Sequence, residues 1–397
     1  MPRFESFRAL RYAPGSDLSA VIAAPYDVLS PVETEELRAR DPHNIVWIDV
    51  PNELDGDNRY TIAASRLRDG IADGTYLLDD DASFTIYRMR FNDATGQPRD
   101  IAGVLGALEV TDAGAGGVLP HERTTPKAST DRLDLTRATG ANMSPVWGLS
   151  MATGLTALLA APGEPVGTLV VDGVAHIVER VSEPTRCAAI SACIAAHDVL
   201  IADGHHRYAV ARQYRDEVRA ATGNCTTAAE LTLAFVNELI AEQLSIAAIH
   251  RLYDAVSLTE LRAALANYFD LSPAPAPTPA LLAEMVQFGR LVLLHSDGSS
   301  EWLIPKTAAF LGVRALDGAW LEHALATIQP EVSYQHGLAE LCAVLPAHTA
   351  AVLVRPTSLT EIMRTATERL LMPPKSTFFT PKLRTGLVVR LLDDTAS

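Results

Sequence analysis

Short apolar runs alternate with helical stripes along the whole chain, and turn residues punctuate them. Ile22 to Tyr26 is apolar and leads to Ser30, an N-cap type, with Pro31 in the first helical position. The pattern predicts a helix through Arg40 that Asp41-Pro42 breaks, and a strand over Ile45 to Val50. Tyr60, Ile62, Ala63, Leu67 and Ile71 form one stripe, predicting an amphipathic helix over Asn58 to Gly74. Phe84 to Phe91 and Ile101 to Val110 read as strands of a hairpin, and Thr168 to Val178 as another, turning at Asp172-Gly173. Val199 to Ala202 reads as a buried strand that meets Asp203-Gly204, with a helix opening at His205. Leu231 to Val236 and Leu244 to His250 are two more predicted strands, and Leu291 to Ile304 a hairpin around Asp297-Gly298. A strand at Ala350 to Arg355, a helix at Leu359 to Leu370 and a strand at Gly386 to Leu392 complete the pattern. Helices and strands mixed in this way predict an α+β or mixed α/β fold, with mixed sheets and flanking helices.

Only Ser272 to Ala280, rich in proline and alanine, has a linker-like composition, and it should be extended polyproline II. Three lobes are therefore expected: 1–117, 118–271 and 281–397, with 272–280 between the last two. With 48% hydrophobic and 20% charged residues among 397, the chain can build a proper core. A net charge of −15 argues against a nucleic-acid partner, though not against a small basic pocket in an acidic body. The opening residues lack an apolar signal region, and no run reaches the ~20 apolar residues of a membrane helix. Cys187, Cys193, Cys225 and Cys342 have no zinc-ligand spacing. These features lead to the expectation of a cytoplasmic protein with reduced thiols and no membrane partner.

The strand-to-helix junction is the most specific chemical signal. Strand, glycine turn and helix start aim free backbone N–H groups and the positive end of a helix dipole at an anion. His205, His206 and Arg207 put three potential cations into that first turn, where the dipole disfavours them unless an anion binds. Adjacent histidines do not share a helix face and no third ligand is suitably spaced, so no metal site is assigned to them. Two other polar stretches are unusual for their context. One runs from Leu119 to Pro145 and holds His121, Glu122, Arg123, Lys127, Arg132 and Arg137. The other, Leu371 to Lys382, holds Lys375, Ser376, Thr377 and Lys382 among three prolines. By composition the first reads rather as a solvated loop followed by a surface helix, and the second equally as an ordered connection with its lysines in water.

Several motifs occur together in one order: Ala24-Pro25-Tyr26-Asp27-Val28, Asp41-Pro42-His43-Asn44-Ile45 and His121-Glu122-Arg123-Thr124. Asp131-Arg132, Arg137 to Asn142, Ala202 to Tyr208, His250-Arg251 and Met372 to Lys382 follow. On these the chain resembles, over nearly its whole length, the bacterial family known as domain of unknown function number 1015. Ala24 departs from the pattern, in which a second proline precedes Tyr26-Asp27. Asp203 to Arg207 also resembles the phosphate-binding box of the ParB/sulfiredoxin-like superfamily, which includes free-serine kinases and nucleotide-hydrolysing partition proteins.

That resemblance implies a ParB/sulfiredoxin-like core and a small-molecule phosphotransferase that uses a nucleotide, ATP, ADP or another, to phosphorylate serine or a serine-like hydroxyl. Mg2+ is the expected cofactor, and the partners are a nucleotide or a small phosphorylated substrate. In this scheme Gly204, His205, His206 and Arg207 grip phosphate, with Lys375, Ser376, Thr377 and Lys382 closing over it. Arg123 and Lys127 add positive charge. Glu122 or Asp203 serves as base or magnesium ligand, with His121 a second acid–base candidate. Tyr26 and Asp27 orient the substrate. Two alternatives keep the same site: a phosphoserine phosphatase with His205 or His206 as nucleophile, and a nucleotide-sensing binding protein without turnover.

Overall fold

The strand pattern resolves into two separate sheets, each in its own unit of the chain. The computed structural model describes residues 1–93, 96–122 and 129–392. Unit one comprises Met1–Ser245 with Pro381–Ser397, and unit two comprises Ile246–Thr380.

In unit one, nine strands among the described residues form one mixed sheet: β1 (Phe4–Glu5), β2 (Phe84–Asn92), β3 (Pro98–Glu109), β4 (Val118–Leu119), β5 (Val146–Ser150), β6 (Glu164–Val171), β7 (Val174–Val181), β8 (Val199–Asp203) and β9 (Leu231–Glu238). Their order is β4-β8-β5-β9-β3-β2-β7-β6, with β1 on the end of β3. β4 runs parallel to β8 and β5 parallel to β9, and the other pairs are antiparallel. The β6–β7 turn has positive φ at both Asp172 (53°) and Gly173 (74°), the geometry of a type I′ hairpin.

One face of this sheet packs Ile86, Val104, Val146, Val199, Ile201 and Val236 against Leu155 and Leu159 of helix Leu155–Ala160 and Ile190 and Ile194 of helix Pro184–Ala195. On the strands' other side chains, Trp147 and Tyr87 both meet the Phe235 ring edge-on, at 5.5 and 5.7 Å. The Trp147 indole donates to Asn237 at 2.7 Å, so its buried N–H is satisfied. Helices Arg59–Ala72, Ser129–Thr139 and His205–Thr222 pack in succession. Tyr60 donates to Asp131 at 2.7 Å, and Arg137 pairs with Glu217 at 2.6 Å.

Unit two holds a six-stranded antiparallel sheet over Ile249–Asp254, Phe269–Pro273, Leu291–His295, Ser300–Pro305, Glu331–His336 and Ala350–Leu353. Helices pack on both faces, with separate clusters around Leu261, Leu293 and Leu321 and around Leu281, Leu294 and Leu341.

The helix start at Ser30 forms as expected, with Glu33 completing a capping box. Leu244 to His250 is not one strand, since Ile246–Ala247 pairs with Phe378–Phe379 while Ile249–Asp254 joins the six-stranded sheet, and three further expectations differ from the structure. Val46–Asp49 is a short helix rather than a strand, because the Asn44 side chain accepts the Val46 N–H at 2.9 Å and starts a turn. Ser272 to Ala280 is no linker: Ser272 and Pro273 end a strand, and Thr278 caps helix Pro279–Phe288. Its prolines thus sit inside unit two, and the chain divides near 245 and 380 instead. Gly386 to Leu392 is a strand only at Arg390–Leu391, paired with Ala141–Asn142, and Leu10 bridges to Val389.

The β3–β9 pairing depends on the absence of a side chain at Gly103, where an added Cβ would lie 2.2 Å from the Phe235 ring. Gly103→Ala is expected to destabilise unit one by about 1–3 kcal/mol through overpacking. A denaturant unfolding midpoint equal to that of the unaltered protein would contradict it.

Candidate functional site

The β8 strand and its two neighbours determine where the polar stretches meet. β4 runs parallel to β8, with Leu119 opposite Leu200, so the chain leaving β4 places His121 beside Ile201. β5 runs antiparallel on the other side, with Trp147 opposite Asp203 past an irregularity in register, which brings Pro145 beside the same turn. β8 ends at Asp203, and Gly204 adopts the left-handed conformation (φ 85°, ψ 29°). The 18-residue helix His205–Thr222 starts at the next residue. Glycine suits that φ, and the first-turn N–H groups of a helix lack intrahelical acceptors.

Two cations converge on the Asp203 carboxylate. Arg207 Nη2 lies 3.2 Å and Lys382 Nζ 3.4 Å from the same oxygen, Oδ2. Burial by itself would raise the Asp203 carboxyl, but Lys382 and Arg207 outweigh it and hold the group well below the ordinary carboxylate range. Arg207 is also buried, its side chain 9% exposed, and it donates through Nη1 to the Pro145 carbonyl. Its Nε is buried with no hydrogen-bond partner. Asp203 thus carries two cations, one of which, Arg207, also feels the Asp27 and Asp49 carboxylates.

The histidines take a different part from the one their sequence position suggests. His121 is fully buried, and its Nδ1 meets the Ile201 carbonyl, an acceptor only, so the proton sits on Nδ1 and the lone pair on Nε2. Burial lowers His121 to about 4. Its Nε2 is 3.8 Å from Glu122 Oε2. His205 Nε2 accepts the His121 backbone N–H at 3.4 Å, and the two rings lie 4.7 Å apart. Burial and the neighbouring His121 push His205 well below its usual value. His205 is therefore neutral at pH 7, and the positive charge beside the turn comes from Arg207 and Lys382.

A second cluster adjoins Arg207. Tyr26, Asp49, Arg132, Ser144 and Arg207 line a cleft of about 50 Å³. Arg132 lies over the Tyr26 ring at 4.3 Å and donates to the Asp49 carbonyl at 2.5 Å. Its guanidinium lies 3.5 Å from the Asp49 carboxylate. Burial raises the Asp49 carboxyl, against the opposing pull of Arg132 and Arg207. Burial also pushes the Tyr26 phenol up to about 12. Ser144 reaches Asp49 at 3.3 Å and Thr385 at 2.7 Å.

His121, Asp203, Gly204, His205, Arg207 and Lys382 thus come together as one site, with Glu122 beside His121 and Tyr26 on the Arg207 cleft. His206 is half-buried in the first helical turn, and Asp27 is exposed. Arg123 and Lys127 lie outside the described residues. Lys375, Ser376 and Thr377 belong to unit two, where the Ser376 hydroxyl donates to Pro373 at 2.7 Å and its carbonyl accepts from Thr357 at 2.6 Å. Asp49 and Ser144 were not among the sequence candidates. A carboxylate within the apolar run Val46 to Val50 was the available signal.

Among the described residues no group of three or more His, Cys, Asp or Glu could hold a metal ion. Asp203 is already shared by two cations, which oppose a divalent ion there. The donor set thus fits a protein-held magnesium poorly. Among the described residues no helix is long and apolar enough to cross a membrane.

Fold and cluster together define a mixed α/β protein with an Asp203–Arg207–Lys382 cluster at a helix start. The chain belongs to the family described as "Protein of unknown function (DUF1015)", whose model matches residues 4–322. No curated protein matches the chain. Among solved structures it is similar to a free serine kinase in complex with AMP, at 11% identity and a TM-score of 0.38, covering 66% of this chain and 84% of that one. It is also similar to a conserved hypothetical protein from Pyrococcus furiosus, at 12% identity and a TM-score of 0.38, covering 69% and 92%. SbnI with a C-terminal truncation, from Staphylococcus aureus, is 14% identical with a TM-score of 0.39, covering 72% and 87%.

Lys382→Met is expected to raise the Asp203 carboxyl toward the ordinary carboxylate value, as read by carbon NMR titration. An unchanged Asp203 titration would show that Lys382 does not act on it. His121 should stay neutral as pH falls from 7 to about 5, since its folded value near 4 lies below the unfolded 6.5. Between those two values the unfolded chain binds the extra proton, so this contribution to stability is lost as pH falls. A His121 ring signal that titrates near 6.5 would contradict the assignment.

Proposed function

We propose that this protein is a small-molecule phosphotransferase that moves a phosphoryl group from a nucleotide to serine or a serine-like hydroxyl. The observation that carries the reading is the convergence of Arg207 and Lys382 on Asp203 at the start of the His205–Thr222 helix. Phosphoryl transfer needs positioning, neutralisation of charge on the phosphoryl oxygens, and a group to take the hydroxyl proton. In this proposal the first-turn N–H groups, Arg207 and Lys382 hold the phosphate. Asp203 is too weak a base to accept the proton, so its role is to orient the two cations.

The proton goes instead to His121 Nε2 or the neighbouring Glu122 carboxylate. His121 enters this scheme as a neutral imidazole whose Nδ1 is engaged by the Ile201 carbonyl, with Glu122 beside its Nε2. Tyr26 and Asp27 orient the substrate, and magnesium, if required, arrives with the nucleotide phosphates. The arrangement favours transfer over hydrolysis through a His205 nucleophile, because His205 Nε2 already accepts the His121 N–H.

Phosphorus NMR of the purified protein with serine, phosphoserine, magnesium and each nucleotide in turn tests the proposal. Phosphoserine should form only when serine and a nucleotide are both present. Lys382→Met should lower kcat/KM by about 10²-fold or more, as for loss of one charge-stabilising donor. If His121 is the base, kcat/KM should hold level from neutral pH to about 5 and fall toward 4 as Nε2 protonates. Phosphate released from phosphoserine without nucleotide would make the protein a phosphatase, and tight nucleotide binding without either product would make it a sensor. Either outcome overturns the proposal.

A further inference from the structure

Arg390 is a buried guanidinium without a paired carboxylate, and it lies away from the residues assigned to phosphoryl transfer. It is 5% exposed, and Nη1 and Nη2 each donate at 2.8 Å to backbone carbonyls, those of Leu231 and Ala228. Its Nε is buried and has no hydrogen-bond partner. The Phe7 ring centre lies 6.0 Å from its guanidinium. Desolvation lowers Arg390 to about 10, against an upward pull from Glu5. Buried charges are ordinarily paired, because leaving one unpaired costs several kcal/mol.

Arg390 lines a cavity of about 560 Å³, within the usual size range of small-ligand sites. Thr227 lines it too, and its Oγ1 is another buried polar atom without a partner. A guanidinium has five N–H donors, and two are spent on carbonyls. The edge formed by Nε–H and a remaining Nη–H matches the two oxygens of a carboxylate. Phe7, Ala107, Leu231 and Leu391 supply an apolar wall.

The charge around the cavity selects among anions. Arg3, Arg8 and Arg390 face Glu5, Asp80, Asp81 and Glu230 on its lining, three cations against four carboxylates. That balance disfavours a dianionic phosphate and tolerates one negative charge placed directly on Arg390. We propose that this cavity binds a small monocarboxylate with an apolar body, its carboxylate on Arg390 and Thr227 and its body against Phe7 and Leu231. The site is separate in its residues from the Asp203 cluster and does not depend on the phosphotransferase reading.

The test is ligand-observed NMR and calorimetry on the full chain, with acetate, butyrate and phenylacetate as probes. Phenylacetamide serves as the neutral isostere and inorganic phosphate as the competing anion. Phenylacetate and butyrate should bind at millimolar concentration or tighter, and phenylacetamide at least tenfold more weakly. Thr227→Val removes a hydroxyl that has no partner, so the protein should fold with undiminished stability and lose several-fold in phenylacetate affinity. Arg390→Gln should abolish the preference for the acid over the amide. The proposal fails if none of the three carboxylates binds, if acid and amide bind equally, if phosphate binds in their place, or if Thr227→Val binds phenylacetate unchanged.

Discussion

The Asp203 carboxylate organises the main polar site, because Arg207 and Lys382 both pair with it at the start of a helix. Removing it would leave two cations, one of them buried, next to a helix N-terminus that repels them. Losing one partner of a buried ion pair costs about 3–5 kcal/mol. The Gly204 turn, the parallel entry of β4 and the antiparallel exit into β5 all serve this geometry. Each of them supplies a group that touches the turn: His121 from β4, the Pro145 carbonyl from the approach to β5, and the helix start itself.

Charge is distributed differently from what the sequence alone suggests. Three adjacent cationic residues in a first turn look like a cost awaiting an anion. In the fold, His205 avoids the cost by staying neutral against His121, while Lys382 enters from the far end of the chain. Arg207 and Lys382 stand beside the helix start, and in the proposed function they are the side chains that receive an added anion. Binding such an anion would complete the pairing that Asp203 begins.

The geometry of the Asp203 turn was readable because strand, glycine and helix follow each other locally, with an apolar run, a left-handed glycine and an amphipathic helix. The hairpin at Asp172-Gly173 was readable for the same reason, since two positive φ values need those residue types. Contacts between distant segments were not readable. Nothing near Lys382 in sequence reports that it meets Asp203, and Asp49 looks like part of a strand until Asn44 turns that run into a helix. The prolines of Ser272 to Ala280 misled because composition cannot distinguish a linker from a strand end followed by a proline-started helix.

The central claim is that the helix start at His205 binds phosphate. Selective nitrogen-15 labelling of histidine places reporters on the His205 and His206 backbone amides, directly at that turn. Titration with ADP should move both amide signals saturably, and Lys382→Met should weaken the response. ADP binding that leaves the His205 and His206 amides unmoved, or no response to any nucleotide, would contradict the account.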